Sequence, residues 1–423
     1  MIEHEDMALQ NILPQLTHEN RYRTSRWRGR FRSFWLTVHL YVALTIGFFF
    51  VVLGLTGSFN VFIYELEEYG LPPVRHEANA QPRSLDEIMQ TVKAAHPEKR
   101  GKWSILLPNY GNDYLWVVYP KPVETADELY APFRVLVDPY SGKIVAESYW
   151  GQTLWTLIYE VHAALMTGKL GAEIGRIGVR TVCFLGLFLF ISALTGLYLW
   201  WPRWRKFTKA VTIKRGASLE RFYFDLHKTT GFYSSIVLLI LAFTGFSFSY
   251  ADYIKPLIRG FSAVKEKHLE EPEVKSRVIG NAQPLSIARA VAQANTIFPN
   301  TELRGISTPD GQEGVYCISK RQSGEANYRW PRSKVWIDQY SGKVLAVQDP
   351  NKFTAGETFL NVLWPLHNGE AFGLAGRIVW CVMGFAPLVL YTTGVIRWLQ
   401  KRKAKSHRGP LSKLRQGDKM LRR

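Results

Sequence analysis

Four stretches of this chain contain no Asp, Glu, Lys or Arg and are long enough to cross a bilayer: Phe34 to Ile63, Thr181 to Trp201, Thr229 to Tyr250 and Ile378 to Ile396. A spanning helix needs about 20 apolar residues. Four such stretches predict a membrane α-helical bundle of four transmembrane helices. The pattern is written twice. Phe34-Trp35-Leu36-Thr37-Val38-His39 leads into an apolar run ending at Thr56-Gly57, and Phe222-Tyr223-Phe224-Asp225-Leu226-His227 into one ending at Thr244-Gly245. Each histidine lies 17 residues before the Thr of a Thr-Gly pair. Recurrence of a costly polar side chain in the same place implies an internal two-fold repeat.

The polar stretches between the spans repeat as well. Leu85 to Val92, ending near His96-Pro97, and Leu285 to Ile297, ending at Phe298-Pro299, read as helices. Each is followed by a hairpin signal, Val135 to Val145 around Asp138-Pro139-Tyr140-Ser141-Gly142 and Val335 to Leu345 around Asp338-Gln339-Tyr340-Ser341-Gly342. A β-branched or aromatic run, a Ser-Gly turn and a second run predict two antiparallel strands. The expectation is two small α+β domains, each one helix packed on a sheet.

The net charge of +18 raises nucleic acid as a partner, but its distribution argues against it. Arg21, Arg23, Arg26, Arg28, Arg30 and Arg32 precede the first span. Arg203, Arg205, Lys206, Lys209, Lys214, Arg215 and Arg221 link spans two and three, and Arg397, Lys401, Arg402, Lys403, Lys405 and Arg408 follow span four. All flank spans on one side, which the positive-inside rule makes cytoplasmic. Membrane lipid, not nucleic acid, is the expected partner of these charges. The polar lead-in carries no cleavage signature, so the first span is expected to be an anchor. The expected order is a basic cytoplasmic segment (1–33), span one (34–63), an outward domain (64–150), an interfacial amphipathic helix (151–175) and span two (176–201). A basic cytoplasmic loop (202–221), span three (222–250), a second outward domain (251–355), an interfacial helix (356–376), span four (377–398) and a basic tail (399–423) complete it. Cys183, Cys317 and Cys381 have neither disulfide nor metal spacing.

A helix, a strand and an Asp-x-x-Ser-Gly-Lys hairpin resemble the PepSY domain. Two such domains between four spans, Thr-Gly pairs in the spans and Leu197-Tyr198-Leu199-Trp200-Trp201-Pro202-Arg203 after the second resemble the PepSY-associated transmembrane helix family from about Arg30 to Arg402. The resemblance implies a bacterial inner-membrane, iron-regulated protein with both termini cytoplasmic and two periplasmic domains, similar to ferric-siderophore reductases carrying b-type haem. Some relatives have a fused flavin or nicotinamide-binding domain. This chain is expected to lack one, which leaves a quinol, reduced flavin or partner reductase as its electron donor.

Four of the ten histidines fall at the membrane. From His39 to Gly57 is 18 residues, about 27 Å of helix, so His39 and His227 belong near the inner face. His162 follows Thr153 to Val161, and His367 follows Thr358 to Leu366, each just before a span at the outer face. Facing imidazoles can supply both axial ligands of one haem iron. Two b-type haems are therefore expected, one on His39 and His227 and one on His162 and His367, with pairing inside one half of the repeat as the alternative. Arg176 and Arg377 recur at the outer edge, as partners of haem propionates or of phospholipid headgroups. The Thr-Gly pairs, including Thr195-Gly196 and Thr393-Gly394, serve close helix packing or make room for a flat macrocycle.

The expected activity is di-haem electron transfer from the cytoplasmic side to a periplasmic ferric siderophore or other metal chelate, releasing ferrous iron. The rival is a non-enzymatic PepSY membrane protein that binds peptides or regulates a protease, with structural histidines; a chelate transporter is a third. No phosphate loop, nucleophile elbow or zincin motif appears, and the spans lack the acidic residues of an ion-coupled pump.

Overall fold

The computed structural model describes residues 2–74, 80–108, 114–202, 204–280 and 282–420, with side chains between 27 and 404 apart from Arg28. Arg21, Arg23, Arg26, Arg28, Arg203, Lys405 and Arg408 of the basic segments lie outside the described side chains, as do His4, His18, His76 and His407. The elements run α1 (Ile2–Asn60), α2 (Ile63–Glu68), α3 (Leu85–Ala95), β1 (Ser104–Leu106), β2 (Leu115–Tyr119), β3 (Phe133–Val137), β4 (Ile144–Tyr149), α4 (Leu154–Ala164) and α5 (Ala172–Trp200). After α6 (Phe207–Ala210) come α7 (Leu219–Arg259), α8 (Glu266–Leu269), α9 (Ile287–Ile297), β5 (Glu302–Ser307), β6 (Val315–Arg321), β7 (Ser333–Asp338), β8 (Val344–Gln348), α10 (Ala355–His367), α11 (Gly373–Met383) and α12 (Ala386–Met420). Among the described residues four helical segments are long and apolar enough to cross a membrane: Gly29–Asn60, Ala172–Trp200, Leu219–Arg259 and Glu370–Ala404.

Several boundaries differ from the sequence reading. The first spanning helix stops at Asn60, and Ile63 already belongs to α2. The third runs past Tyr250, where non-helical angles (φ −122°, ψ 28°) kink it, to Arg259. The fourth is not one continuous helix: α11 ends at Met383 and α12 begins at Ala386. Pro387 sits at the start of α12, and its missing N–H and ring cannot continue the preceding turn. The first interfacial segment holds a helix of only 11 residues, stopped by Leu165 and Met166 with φ of 52° and 64°.

Cα packing divides the chain into two compact units, Met1–Val52 with Leu187–Leu239 and Phe385–Arg423, and Leu53–Gly186 with Ile240–Gly384. The second unit contains the sheet. The two polar stretches do not make two separate sheets. Their strands form one eight-stranded antiparallel sheet in the order β4-β3-β2-β1-β5-β6-β7-β8. The join is β1 against β5, pairing Ser104 with Ser307, Ile105 with Ile306 and Leu106 with Gly305. Both hairpin turns form as the sequence suggests. Asp138 accepts hydrogen bonds from the backbone of Tyr140 and Ser141, and Asp338 from that of Tyr340 and Ser341. Gly142 and Gly342 take the positive φ that closes each turn.

One face of the sheet carries Ile105, Val117, Val135, Ile306, Ile318 and Val335, all at most 1% exposed. They share a core with Ile88 and Val92 of α3 and Ala290 and Ala294 of α9. The two helices are also linked end to end. Ser84 caps α3 with a full capping box, and Asp86 accepts from the backbone N–H groups of Ile287 and Ala288 at the start of α9 (2.7 and 3.0 Å).

The opposite face carries buried Arg134, flanked by the rings of Trp116 and Trp150 (4.7 and 4.9 Å to their centroids). Its guanidinium binds Glu67 of α2 through two hydrogen bonds of 2.8 Å. Thr153, the cap of α4, donates to the same carboxylate. One buried ion pair therefore ties the sheet to the start of α4. At the matching place in the second half, Glu357 completes the capping box of α10. It also accepts from the Lys265 backbone (2.7 Å) and pairs with His268 (3.0 Å).

The shared core predicts that the two halves of the sheet respond together. Ile306→Ala should cost about 2–5 kcal/mol and speed hydrogen exchange in β2 and β3 as well as in β6 and β7. Acceleration confined to the second half would mean that the halves are separate folding units.

Candidate functional site: two facing histidine pairs

Each of the four membrane histidines is held by a Thr-Gly pair on a different helix. His39 of α1 places Nδ1 3.0 Å from the carbonyl of Ser192 and 3.1 Å from Oγ1 of Thr195 on α5. His162 of α4 returns to α1, with Nδ1 3.0 Å from the Leu53 carbonyl and 3.1 Å from Thr56 Oγ1. The second half repeats the exchange. His227 of α7 reaches the Leu390 carbonyl (3.1 Å) and Thr393 Oγ1 (2.9 Å) on α12, and His367 of α10 reaches Thr244 Oγ1 (2.8 Å) and the Leu241 backbone on α7.

The glycine of each pair makes the room. A Cβ on Gly57 would lie 2.8 Å from Cε1 of His162, and one on Gly196 3.2 Å from Cε1 of His39. At Gly245 and Gly394 the distances to the rings of His367 and His227 are 3.3 and 3.5 Å. The Thr-Gly pairs are thus histidine seats: the carbonyl and hydroxyl grip the ring and the missing side chain admits it.

This grip sets the tautomer. A carbonyl only accepts, so Nδ1 must carry the proton, and Nε2 keeps its lone pair. Among the described residues no hydrogen-bond partner meets any of the four Nε2 atoms. Outside the spans, burial pushes the imidazole of His162 down to about 4. Burial, and then the neighbouring His162, push that of His367 down to about 3. Both rings are neutral at physiological pH, the state a metal ligand requires.

The structure brings the rings together in pairs. His39 and His227 have centroids 6.5 Å apart with planes at 89°. His162 and His367 have centroids 6.2 Å apart at 56°. The first pair lies wholly in the first compact unit and the second wholly in the other.

The two arginines that the sequence treats as equivalent part company. Arg377 is 1% exposed, donates to the Val61 carbonyl (2.7 Å), pairs with Glu65 and lies 4.4 Å from the Phe62 ring centroid. It fastens α11 to the end of α1. Arg176 is half-exposed and pairs with Glu173 one turn earlier on its own helix. Neither touches a histidine pair through these contacts. Residues that sequence reasoning did not place in the site are Thr56, Thr195, Thr244 and Thr393, which orient the rings. Their signal was present in the four Thr-Gly pairs, one per span.

Spanning helices, a fused sheet and two pairs of seated imidazoles define a multi-pass membrane protein with paired nitrogen donors in its helices. The chain belongs to the family described as PepSY-associated TM region, whose family model matches residues 36–401. No curated protein matches the chain.

The hydrogen bonds predict the Nδ1–H tautomer for all four histidines in metal-free protein. Nitrogen-15 chemical shifts of histidine-labelled protein read this directly; an Nε2–H signal from any of the four would contradict the seating.

Proposed function

We propose that this protein is a di-haem membrane oxidoreductase that delivers electrons to a ferric chelate on the side opposite its basic segments. The observation that carries the reading is the spacing of the histidine rings. Two imidazoles clamping one iron, with metal–nitrogen bonds of roughly 2 Å and ring centres about 1 Å behind each nitrogen, have centroids roughly 6 Å apart. The observed 6.5 and 6.2 Å match that arrangement in both pairs, with both free Nε2 lone pairs available.

The donor set agrees. Among the described residues no group of three His, Cys, Asp or Glu side chains stands ready for a bare metal ion. Two axial imidazoles suit a metal whose equatorial ligands come from a macrocycle. Close in the chain to the Gly57 seat and to His367, buried polar atoms have no hydrogen-bond partner among the described residues: both polar side-chain atoms of Asn60, Oδ1 of Asn361 and Nε1 of Trp364. Asn60 lies one turn past Gly57, and Trp364 one turn before His367. Two of these atoms, Asn60 Nδ2 and Trp364 Nε1, are donors; orphaned donors in a buried place are costly, and the carboxylate edge of a haem would satisfy such donors.

When bound, haem supplies reversible one-electron chemistry at potentials set by its axial ligands and their hydrogen bonds. The chain's own residues do the rest. His39, His227, His162 and His367 would hold the iron, and the four threonines that fix ring orientation would set donor strength. Positive charge within the first half of α1, between α5 and α7 and within α12 supports a cytoplasmic side for those ends by the positive-inside rule. The sheet domain then faces the periplasm of a bacterial inner membrane. Reducing ferric to ferrous iron weakens its hold on hard oxygen ligands, which frees the metal.

Purified protein should show a sharp Soret band and split α and β bands on reduction. His39→Ala and His162→Ala should each remove one haem of two. Gly57→Ala, which pushes a methyl against the His162 ring, should disturb the second haem alone. A colourless preparation from haem-replete cells would end this reading, and spheroplasts that fail to reduce external ferric chelate would end its substrate.

A further inference from the structure

Helix α7 outruns the membrane. Its 41 residues make about 60 Å of helix, against about 30 Å of hydrocarbon. On the side away from the basic segments, the charge-free runs of spans two and three end at Thr181 and Tyr250. The structure joins those two ends: Tyr250 Oη donates to the Arg180 carbonyl (3.3 Å), and its ring lies 6.0 Å from that of Phe184. Two helices thus mark one outer edge. At Tyr250 the backbone leaves helical angles, and α7 then continues to Arg259.

This extension has two faces. Ile254 is 6% exposed, and Ile258 lies 2.9 Å from where a Cβ on Gly356, at the start of α10, would stand. On the other face Tyr253, Leu257 and Phe261 are 74, 70 and 95% exposed. They recur every four residues, the spacing of one helix face. Phe261 sits in the closing turn, where its N–H donates to the Ile258 carbonyl (2.9 Å). The charges alongside cancel: Lys255 pairs with Asp252 (3.0 Å) and Arg259 with Glu266 (2.9 Å). The repeat does not copy the stripe. Its matching positions in the first half hold Glu65, Tyr69 and Pro73, and Glu65 is committed to Arg377.

We propose that the extension of α7 is an interfacial anchor, with Tyr253, Leu257 and Phe261 set among the headgroups and first acyl carbons of the outer leaflet. Continuity carries the assignment. The stripe begins one turn past the edge of the span, so lipid is the apolar phase next to it. Aromatic side chains are favoured at that depth, and a helix with one apolar and one polar face lies in the plane of the interface. Because the neighbouring charges are paired, the attraction is apolar and selects no anionic headgroup. The anchor braces the start of α10, the helix that ends in His367. Only the second half of the chain has it.

A nitroxide on Leu257→Cys tests this in the full chain, with Cys183, Cys317 and Cys381 changed to Ser, in phosphatidylcholine nanodiscs. Dissolved oxygen should reach the label and a water-soluble nickel chelate should not, while a label on Asp252→Cys should show the reverse. Added phosphatidylglycerol or raised salt should change neither result. Leu257→Glu should cost a label on Phe261→Cys its shielding from nickel, without moving thermal unfolding. In the unaltered chain, a photoactivatable group near the headgroup end of a phosphatidylcholine acyl chain should form adducts within residues 251–261. A label at position 257 as open to nickel as the one at 252, or adducts on the spans and none on 251–261, would overturn the anchor. Shielding that needs anionic lipid or low salt would overturn its apolar character. Spin–spin broadening at 257 that vanishes on dilution with unlabelled chain would give the stripe to a second copy instead.

Discussion

The arrangement of the helices turns on one interaction, the hydrogen bond from an imidazole Nδ1 to a carbonyl and threonine hydroxyl on a neighbouring helix. In hydrocarbon an unpaired ring N–H is costly, so each histidine needs such an acceptor. A helix interior offers few, because its carbonyls are already used. Threonine solves this by donating its own hydroxyl back along the helix, as Thr195 does to Ile191, Thr244 to Ile240 and Thr393 to Val389. That leaves its oxygen lone pair turned outward beside a carbonyl. The adjacent glycine lets the ring come close enough to use both acceptors.

The consequence is a reciprocal latch within each half of the chain. His39 leaves α1 for α5, and His162 at the end of α4 comes back to α1. His227 leaves α7 for α12, and His367 at the end of α10 comes back to α7. Each ring is thereby fixed at Nδ1, and it lies beside a ring from the opposite half of the chain. The polar groups spent within each half leave the two rings of each pair facing one another across the halves, 6.5 and 6.2 Å apart.

Much of this was legible in the sequence, and the part that was not has identifiable causes. The spans, the hairpin turns at Asp138 and Asp338 and the four histidines all follow local rules of periodicity, turn chemistry and repetition. The seats do not. A spacing of 17 residues puts a histidine about 25 Å along the helix from its own Thr-Gly pair, so each ring had to be seated elsewhere, but spacing alone cannot say on which helix. The join between β1 and β5 was also hidden. β1 has three residues, too short for a periodicity signal, and pairing partners 200 residues apart leave no local trace. The break between α11 and α12 had a signal in Pro387 that hydropathy averaging passes over. Arg176 and Arg377 show the limit of reading a repeat. Both follow a glycine, yet only Arg377 is buried and paired with a carboxylate of another helix, Glu65 of α2, whereas Arg176 pairs with Glu173 on its own helix.

The fused sheet gives the duplication a further physical meaning. Two separate modules would each expose two edge strands, whose unpaired backbone groups invite association. Joining β1 to β5 removes two of those four edges. It also makes the surface opposite α3 and α9 continuous, so that Trp116 and Arg134 of the first half and Arg304 and Arg321 of the second lie on one sheet. A surface built from both halves cannot exist in either alone, just as each histidine pair needs one ring from each half. The seam of the sheet and each histidine pair alike draw on residues from both halves of the chain.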